Sequence, residues 1–238
     1  MTLGIVIALT GEIEPLTQGK IKIKPGSISK LSDNVLLAFS GIGTDNARIA
    51  SGLLLNQGAT ALLSWGSAAA LSEKLTSGSL ILPLTIIDNN GACYNVDSNW
   101  HERVSKSISP QISFSTDSLV NSPDILANSK HKQNLRAVTG AIAVDMESAA
   151  IGKLAHEHNI PFMVIRAIAD GADMSIPRWL MSSIDEYGRI RFLPMLVSMV
   201  LHPNEWLEVA RLNRGFSAAL ATLRDVISST GASLLAPD

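Results

Sequence analysis

Acidic side chains follow two apolar segments between residues 143 and 173, at the points where those segments end. Asp145 and Glu147 come after the first segment, and Asp170 comes after the second, residues 162–168. The pattern predicts a strand, a helix that begins at Asp145 and a second strand. Ligands of open α/β sheets bind at the carboxyl ends of the strands, so this unit is where we expect chemistry.

A third carboxylate follows the first apolar run of the chain. Residues 3–9 are almost continuously apolar, which is typical of a strand buried on both faces, and Glu12 comes shortly after them. Taken singly, each carboxylate also fits a structural role in a solvated loop or at the start of a helix. At one edge of a sheet, Glu12, Glu147 and Asp170 together favour chemistry that uses carboxylates without a metal. Acid-assisted cleavage of a glycosidic bond is the leading case.

Composition and motifs disfavour several other classes of function. The 238-residue chain has a net charge of −2, so we expect no nucleic acid as a partner. Cys93 is the single cysteine, which excludes an intrachain disulfide and favours a reducing, cytoplasmic compartment. His156 and His158 would point to different faces of a helix, and the sequence has no cysteine cluster, so we expect no metal. The Gly-x-Ser-x-Gly elbow of serine hydrolases is missing too.

The order of apolar strands and helical segments predicts one α/β domain over residues 1–238, with a helical tail from about residue 176. The apolar run at residues 192–201 falls well short of the roughly 20 residues that a membrane helix needs. A half-exposed strand is expected at residues 20–24, where Lys and Ile alternate. The other predicted strands are residues 35–39, 59–64, 78–87 and 111–115, and the helices are residues 45–56, 124–136 and 205–226.

Two glycine-containing turns lie where a ligand could approach the backbone. Residues 40–44 join a strand to a helix, a geometry that can offer backbone N–H groups to an anion or a sugar hydroxyl. Residues 66–70 are small and follow another strand. A tight turn explains the first feature equally well, and close packing of a helix on the sheet explains the second.

Residues 144–150 (VDMESAA) and 166–173 (RAIADGAD) resemble motifs of the nucleoside phosphorylase/nucleosidase superfamily. Their sequence pattern most resembles that of the methylthioadenosine/S-adenosylhomocysteine nucleosidases. Residues 4–12, 40–43 and 66–68, followed by Gly78, agree in order and spacing, so the resemblance covers most of residues 3–175. It implies a single-domain three-layer α/β/α fold with a mixed central sheet, here followed by the helical tail, and no cofactor.

The resemblance implies two catalytic residues. Asp170 matches the general acid that protonates N7 of the purine, and Glu12 matches the group that positions and activates the attacking water. Adenine leaves poorly as an anion, so an acid must deliver a proton as the bond breaks. Asp170 must then hold a proton near neutral pH, which burial achieves by raising its pKa.

The resemblance also implies a set of substrate-binding residues. Glu147 matches the carboxylate that holds the ribose hydroxyls, and its negative charge suits a sugar with oxocarbenium character. Met146 matches the residue that packs beneath the sugar. Ser67 and Ala68 fall in the segment that lines the base and the sugar, and Arg166 matches an arginine near the acid and the nucleophile.

Some positions depart from the family pattern. Ala169 replaces a serine that usually precedes the acid, Ala69 and Ala70 replace glycines, Trp65 is large for its place, and Asp145 replaces a glutamate. These departures predict a reshaped pocket and disfavour ordinary methylthioadenosine turnover.

The tail resembles one branch of the superfamily, the hopanoid-associated phosphorylases, at Pro177, Gly188-Arg189, Pro203 and residues 216–223. This branch implies a nucleoside with a large apolar 5′ substituent, such as adenosylhopane. Trp179, residues 192–201 and Trp206 would then form an apolar wall or a membrane-facing lip. Burial in the core or in a dimer interface is the alternative that we favour for these residues.

The expected reaction is the release of adenine from a 5′-substituted adenosine. Water is favoured as the nucleophile, because Arg48 is the only arginine before residue 100 and phosphorylases bring several arginines to the phosphate. Phosphate stays open as a co-substrate. A methylthioadenosine/S-adenosylhomocysteine nucleosidase, a purine nucleoside phosphorylase and a degenerate nucleoside-binding protein are the alternatives. We expect a homo-oligomer, a dimer, with peripheral membrane contact as a further expectation.

Overall fold

A computed structural model describes residues 1–177, 179, 180, 185, 187 and 201–234. Within these residues the strands are β1 (Leu3–Ile7), β2 (Ile28–Ser32), β3 (Val35–Phe39), β4 (Ala61–Ala70), β5 (Leu80–Ile81), β6 (Thr85–Ile87), β7 (Cys93–Asn95), β8 (Phe114–Ser115), β9 (Leu119–Asn121), β10 (Ala143–Asp145) and β11 (Phe162–Asp170). The helices are α1 (Ile13–Thr17), α2 (Thr44–Asn56), α3 (Ser98–Ser107), α4 (Ser129–Thr139), α5 (Ser148–Glu157) and α6 (Trp206–Leu234).

The described strands form one mixed sheet around β4. Two strands, β1 and β10, pair with one edge of β4. From β1 the sheet continues through β3 and β2, and from β10 it continues through β9, β6 and β7. On its other side β4 pairs with β11, which in turn pairs with β5, and β5 pairs with β8. β1 and β11 run parallel to β4, whereas β10 runs antiparallel to it. The prediction of an α/β fold with a mixed central sheet is confirmed.

One edge of β4 is shared by two strands, and this divided pairing creates the opening for a site. β1 pairs with the first half of β4 as far as Trp65, and β10 pairs with its end from Ala69 onward. Residues 66–68 therefore have no strand partner on that edge. The chain that leaves β1 and the chain that leaves β10 both arrive beside this gap, so the side chains that follow the two strands can meet there.

Helices cover both faces of the sheet, which gives the predicted three layers. Alternate residues of β4 and β11 belong to two separate apolar clusters, because successive side chains of a strand point to opposite faces. Leu63 and Ile165 pack on the side of α6, against residues such as Leu223. Leu62 and Val164 pack on the side of α2 and α5. The long strands are thus buried on both faces, as their continuous apolar sequences predict.

Several boundaries differ from the sequence predictions. Residues 20–24 form no strand: Ile21 and Ile23 are half-buried and the lysines are exposed, but no neighbouring strand supplies ladder hydrogen bonds. The predicted strand over residues 78–87 is divided into β5 and β6 around Pro83, which cannot donate a ladder hydrogen bond. β4 extends beyond residues 59–64 through the small residues that follow.

The remaining differences concern short elements and helix starts. β9 and β7 are three-residue strands that leave almost no periodic signal. The helix predicted at residues 124–136 is α4, which begins at Ser129 because Asn128 caps it by accepting a hydrogen bond from the His131 N–H at 2.9 Å. α5 begins at Ser148 rather than at Asp145, which is the last residue of β10.

The predicted tail is described only in part. Gly188-Arg189 and residues 192–200 lie outside the described residues. α6 corresponds to the last predicted helix, at residues 205–226, and runs further. In the described part of the chain, none of the helices has both the length and the apolar character that crossing a bilayer requires.

We predict that α6 tolerates no side chain at Gly215. A Cβ there would lie 2.0 Å from the Ala169 carbonyl oxygen and 2.7 Å from Ser77 Oγ, so Gly215→Ala must push α6 away from the end of β11. Overpacking of this kind costs about 1–3 kcal/mol, measured as the free energy of unfolding in denaturant. Gly52→Ala is the matched control, because it adds the same methyl group to a helix where nothing lies within 4 Å. Equal effects of the two substitutions would contradict the packing.

Candidate active site

The described residues enclose a cavity of about 300 Å³ at the gap along β4. All seven site residues predicted from the sequence line it, although they come from four different strands or the turns that follow them. These residues are Glu12, Ser67, Ala68, Met146, Glu147, Arg166 and Asp170. The structure therefore brings the predicted set together, and the role of each residue stays a prediction.

Glu12 lies in a short 3₁₀ turn after β1 and is 1% exposed. Its Oε1 accepts hydrogen bonds from the backbone N–H and the hydroxyl of Ser67, both at 2.7 Å, and its Oε2 accepts one from the Leu9 N–H at 3.1 Å. Burial raises the pKa of Glu12, while the nearby Arg166 charge and the hydrogen bonds lower it. A carboxylate with a raised pKa and a fixed position suits a proton acceptor.

Gly66 is required for this arrangement. A Cβ at Gly66 would lie 2.6 Å from Nη1 of Arg166 and 2.7 Å from Oε2 of Glu12, and its φ of +154° disfavours other residues. Trp65, which departs from the family pattern, does not line the cavity. It is fully buried in the core, and its indole N–H donates to the Glu12 carbonyl oxygen at 3.3 Å. Trp65 therefore contacts the backbone that positions Glu12, whereas Ala69, Asp145 and Ala169, which also depart from the family pattern, line the cavity.

Arg166 connects the carboxylates of the site. Its Nη2 lies 2.7 Å from Asp145 and 3.4 Å from Glu147, and it donates to the hydroxyls of Ser64 and Ser148 at 2.8 and 3.2 Å. Asp145 also accepts hydrogen bonds from the N–H and the hydroxyl of Ser148, the first residue of α5. Sequence reasoning missed the ion pair, because pairing with a residue on another strand leaves no local pattern.

Glu147 is 5% exposed and is held from two sides. The Gly43 N–H donates to its Oε1 at 2.9 Å, and its Oε2 lies near Arg166. The glycine turn at residues 40–44 therefore directs one N–H group to Glu147, not to a ligand. Burial raises the pKa of Glu147 to about 7; Arg166 lowers it, and Asp145 raises it.

Asp170 ends β11 and has one strong partner, Lys132 of α4. Nζ of Lys132 donates to Oδ2 of Asp170 at 2.5 Å, and the lysine side chain is completely buried. Burial raises the pKa of Asp170, and Lys132 lowers it. Sequence reasoning missed Lys132, since it lies in a polar helix beside Lys130 and nothing local distinguishes the buried lysine from the exposed one.

Apart from Asp124, the rest of the cavity wall is apolar. Leu9 and Ile42 contribute to it near the carboxylates, and side chains from three other segments complete it: Ile125, Leu126, Ile176, Leu180, Leu212 and Phe216. In the segments that the structure describes, His, Cys, Asp and Glu side chains form no group of three or more that could hold a metal. The cavity thus combines one charged side with a large apolar side.

Comparisons with known proteins agree with this geometry. Residues 2–180 match the family described as the phosphorylase superfamily, and they include every predicted site residue. The chain belongs to the phosphorylase superfamily. The resemblance drawn from the motifs is thereby confirmed at the level of the superfamily, and the predicted enzyme class, an N-ribosyl hydrolase or phosphorylase, agrees with it.

Curated relatives and solved structures resemble this member of the superfamily over most of its length. A 5′-methylthioadenosine/S-adenosylhomocysteine nucleosidase of Buchnera aphidicola subsp. Baizongia pistaciae is 28% identical over 203 residues, covering 73% of this chain and 79% of the relative. The Neisseria meningitidis nucleosidase of the same name, in complex with methylthio-immucillin-A, has a TM-score of 0.72 at 20% identity and covers 96% and 97% of the two chains. Futalosine hydrolase of Helicobacter pylori has a TM-score of 0.68 at 17% identity, with the same coverage. At these identities the two structures show the shared fold.

We predict that Glu147→Gln changes the pH dependence of stability. Because burial raises the pKa of Glu147 from 4.5 to about 7, the folded protein holds this proton over a range where the unfolded chain releases it. The contribution of Glu147 to stability is therefore present below about pH 4.5 and is lost as the pH rises to about 7. The variant, which cannot ionise, should gain in free energy of unfolding relative to the wild type between pH 5 and pH 8.

Denaturant unfolding at about these two pH values measures the difference. Glu73→Gln, which removes an exposed carboxylate, is the control and should show no such gain. A difference between Glu147→Gln and the wild type that is the same at both pH values would contradict a raised pKa.

Proposed function

We propose that this protein cleaves the N-glycosidic bond of an adenine nucleoside and releases adenine, with water as the nucleophile. The observation that carries the proposal is the meeting of three buried carboxylates, Glu12, Glu147 and Asp170, at one cavity beside Gly66. Each has different partners, so each can take a different part in the same reaction.

In the proposed reaction Asp170 donates its proton to N7 of adenine while the bond between C1′ and N9 breaks. The electron pair of that bond goes to the base, which leaves as neutral adenine. Oδ2 of Asp170 is engaged by Lys132, whereas Oδ1 has no hydrogen-bond partner among the described residues and is the oxygen available to the purine. General acid catalysis of this kind contributes about 10²–10⁴ in rate.

The ribose gains positive charge as the base departs, and Glu147 supports that charge. The carboxylate is fixed in position by Gly43, so it needs no reorganisation as the transition state forms. Its raised pKa of about 7 makes the ionised form available at and above neutral pH. Glu12 then takes a proton from the water that attacks C1′, which leaves a hydroxyl group on the sugar.

Water is favoured over phosphate by the charges of the cavity wall. Among the described residues that line the cavity, Arg166 is the only cation, and it is already paired with Asp145 and Glu147. A phosphate dianion would meet Glu12 and Glu147 without a free cation to offset their charge. Phosphorolysis is therefore the second candidate, and it rests on the name of the superfamily.

The finer part of the proposal concerns the 5′ substituent. A large apolar group, as in adenosylhopane, suits the apolar wall that Leu212 and Phe216 of α6 help to form. The resemblance of the tail to the hopanoid-associated branch points the same way. Turnover of methylthioadenosine or S-adenosylhomocysteine is the alternative substrate choice, and it is favoured by the relatives from Buchnera aphidicola and Staphylococcus aureus.

The expectations about location and assembly belong to the same proposal. We propose a cytoplasmic homodimer that contacts the membrane surface from the region of α6. Leu201, Trp206 and Leu207 are at least half exposed there, and such side chains could enter the bilayer surface from which an apolar nucleoside would be taken.

We predict that the wild type releases adenine from adenosine-type nucleosides without phosphate, and that Asp170→Asn loses about 10²–10⁴ in kcat. The amide has no proton acidic enough to donate, although it can still bind the purine. Chromatography of free adenine, with and without phosphate, measures the rate. Asp173→Asn, an exposed residue of the loop after β11, is the control and should retain activity. Full activity of Asp170→Asn, or release only with phosphate, would contradict the assignment.

We also predict that apolar 5′ substituents increase kcat/KM. Each methylene group buried against the wall adds about 0.8 kcal/mol, or about fourfold, so 5′-alkyl adenosines should exceed adenosine progressively. Phe216→Ala should reduce this gain, whereas Leu207→Ala, an exposed residue of the same helix, should preserve it. If kcat/KM does not depend on the length of the 5′ chain, the proposed substrate class is wrong.

A further inference from the structure

Lys132 is a cation that the fold buries at high cost. It is 0% exposed and lies in the first turn of α4, where the helix dipole disfavours positive charge. Each of its three ammonium hydrogens has an acceptor: Oδ2 of Asp170 at 2.5 Å, the Gly171 carbonyl at 2.7 Å and the Met174 carbonyl at 3.1 Å. A lysine that only anchored the loop would need carbonyl acceptors alone. This one is paired with the carboxylate at the cavity.

We infer that Lys132 is the positioning residue of the general acid: it holds Oδ2 of Asp170, so that Oδ1 faces the purine, and it stabilises the carboxylate left after proton transfer. The inference deepens the proposed function and rests on it. Two features of the geometry carry it, the 2.5 Å contact to one oxygen of Asp170 and the lack of a hydrogen-bond partner at the other among the described residues.

The proton balance shows why a cation is useful here. Before the reaction Asp170 is neutral and Lys132 is charged. When Oδ1 gives its proton to N7, a carboxylate forms inside the protein, where an unpaired charge would be strongly disfavoured. The ammonium group at Oδ2 is already in place to offset that charge. After adenine and the sugar leave, Glu12 releases to solvent the proton it took from water, and solvent returns a proton to Asp170.

The same cation opposes protonation of Asp170 before the reaction, so its presence sets the pH range of activity. Burial raises the pKa of Asp170 and Lys132 lowers it. Other charged groups lie on the elements packed around the pair. They are Asp173 on the same loop, Asp124 before α4, Arg136 on α4, which donates to the Leu71 carbonyl, and Glu12, Asp145, Glu147 and Arg166 across the cavity.

Lys132→Met tests the inference, with Lys130→Met as the exposed control on the same helix. The pH profile of kcat/KM for adenine release has an alkaline limb where the acid loses its proton. Removal of a charge this close shifts a carboxyl pKa by about 1–3 units, so the limb of Lys132→Met should move to higher pH by about that amount. The limb of Lys130→Met should match that of the wild type.

A second substrate separates an effect on the acid from general damage. A riboside whose leaving group is nitrophenolate departs without protonation, so its cleavage should be as fast in Lys132→Met as in the wild type, while adenine release slows on the acid plateau. An unshifted limb, or equal losses with both substrates, would overturn the inference.

Folding is checked first by thermal unfolding. If Lys132→Met does not fold, Lys132→Gln, which removes the charge but keeps two N–H donors, takes its place. Failure of both variants to fold, with Lys130→Met folded, would show that the lysine serves the fold and would overturn a role through the acid.

If the wild type releases no adenine from any adenosine-type nucleoside, the proposed function fails and this inference fails with it. An active wild type with an unshifted limb in the variant rejects the inference alone.

Discussion

The buried ion pair between Arg166 and Asp145 is the interaction on which the site depends. It joins β11 to β10 across β4, with a distance of 2.7 Å between nitrogen and oxygen. Removing one partner of a buried pair typically costs about 3–5 kcal/mol, because the other charge is left uncompensated. Loss of Arg166 would also affect two other carboxylates, because the same guanidinium faces Glu147 and lowers the pKa of Glu12. Without it, the carboxylates at the gap would repel one another.

Two cations divide the carboxylates into two groups. Arg166 forms ion pairs with Asp145 and Glu147 and interacts electrostatically with Glu12, whereas Lys132 forms its ion pair with Asp170. In the proposed reaction, the half around Arg166 holds negative charge beside the sugar, and the half around Lys132 releases a proton to the base. Chemistry that needs both at once, the departure of a poor leaving group from a ribose, fits this division.

The sequence predicted the parts of the fold that have a local signal. β1, β3, α2 and β11 are long or continuously apolar, and their positions agree with prediction. The seven site residues come together because each lies at or near the end of a strand or beside the gap along β4, which the motifs indicate. Lys132 and the ion pair between Arg166 and Asp145 could not be found this way. Both depend on contacts with residues that are distant in the chain, and a sequence does not distinguish a buried lysine from an exposed one.

A crystal structure with a purine C-nucleoside tests the central claim most directly, because a carbon–carbon bond replaces the bond to be cleaved and the ligand stays intact. We expect N7 of the base within about 2.6–3.2 Å of Oδ1 of Asp170 and the ribose hydroxyls at Glu147. A nucleoside bound with its base away from Asp170, or bound outside this cavity, would contradict the assignment of the site.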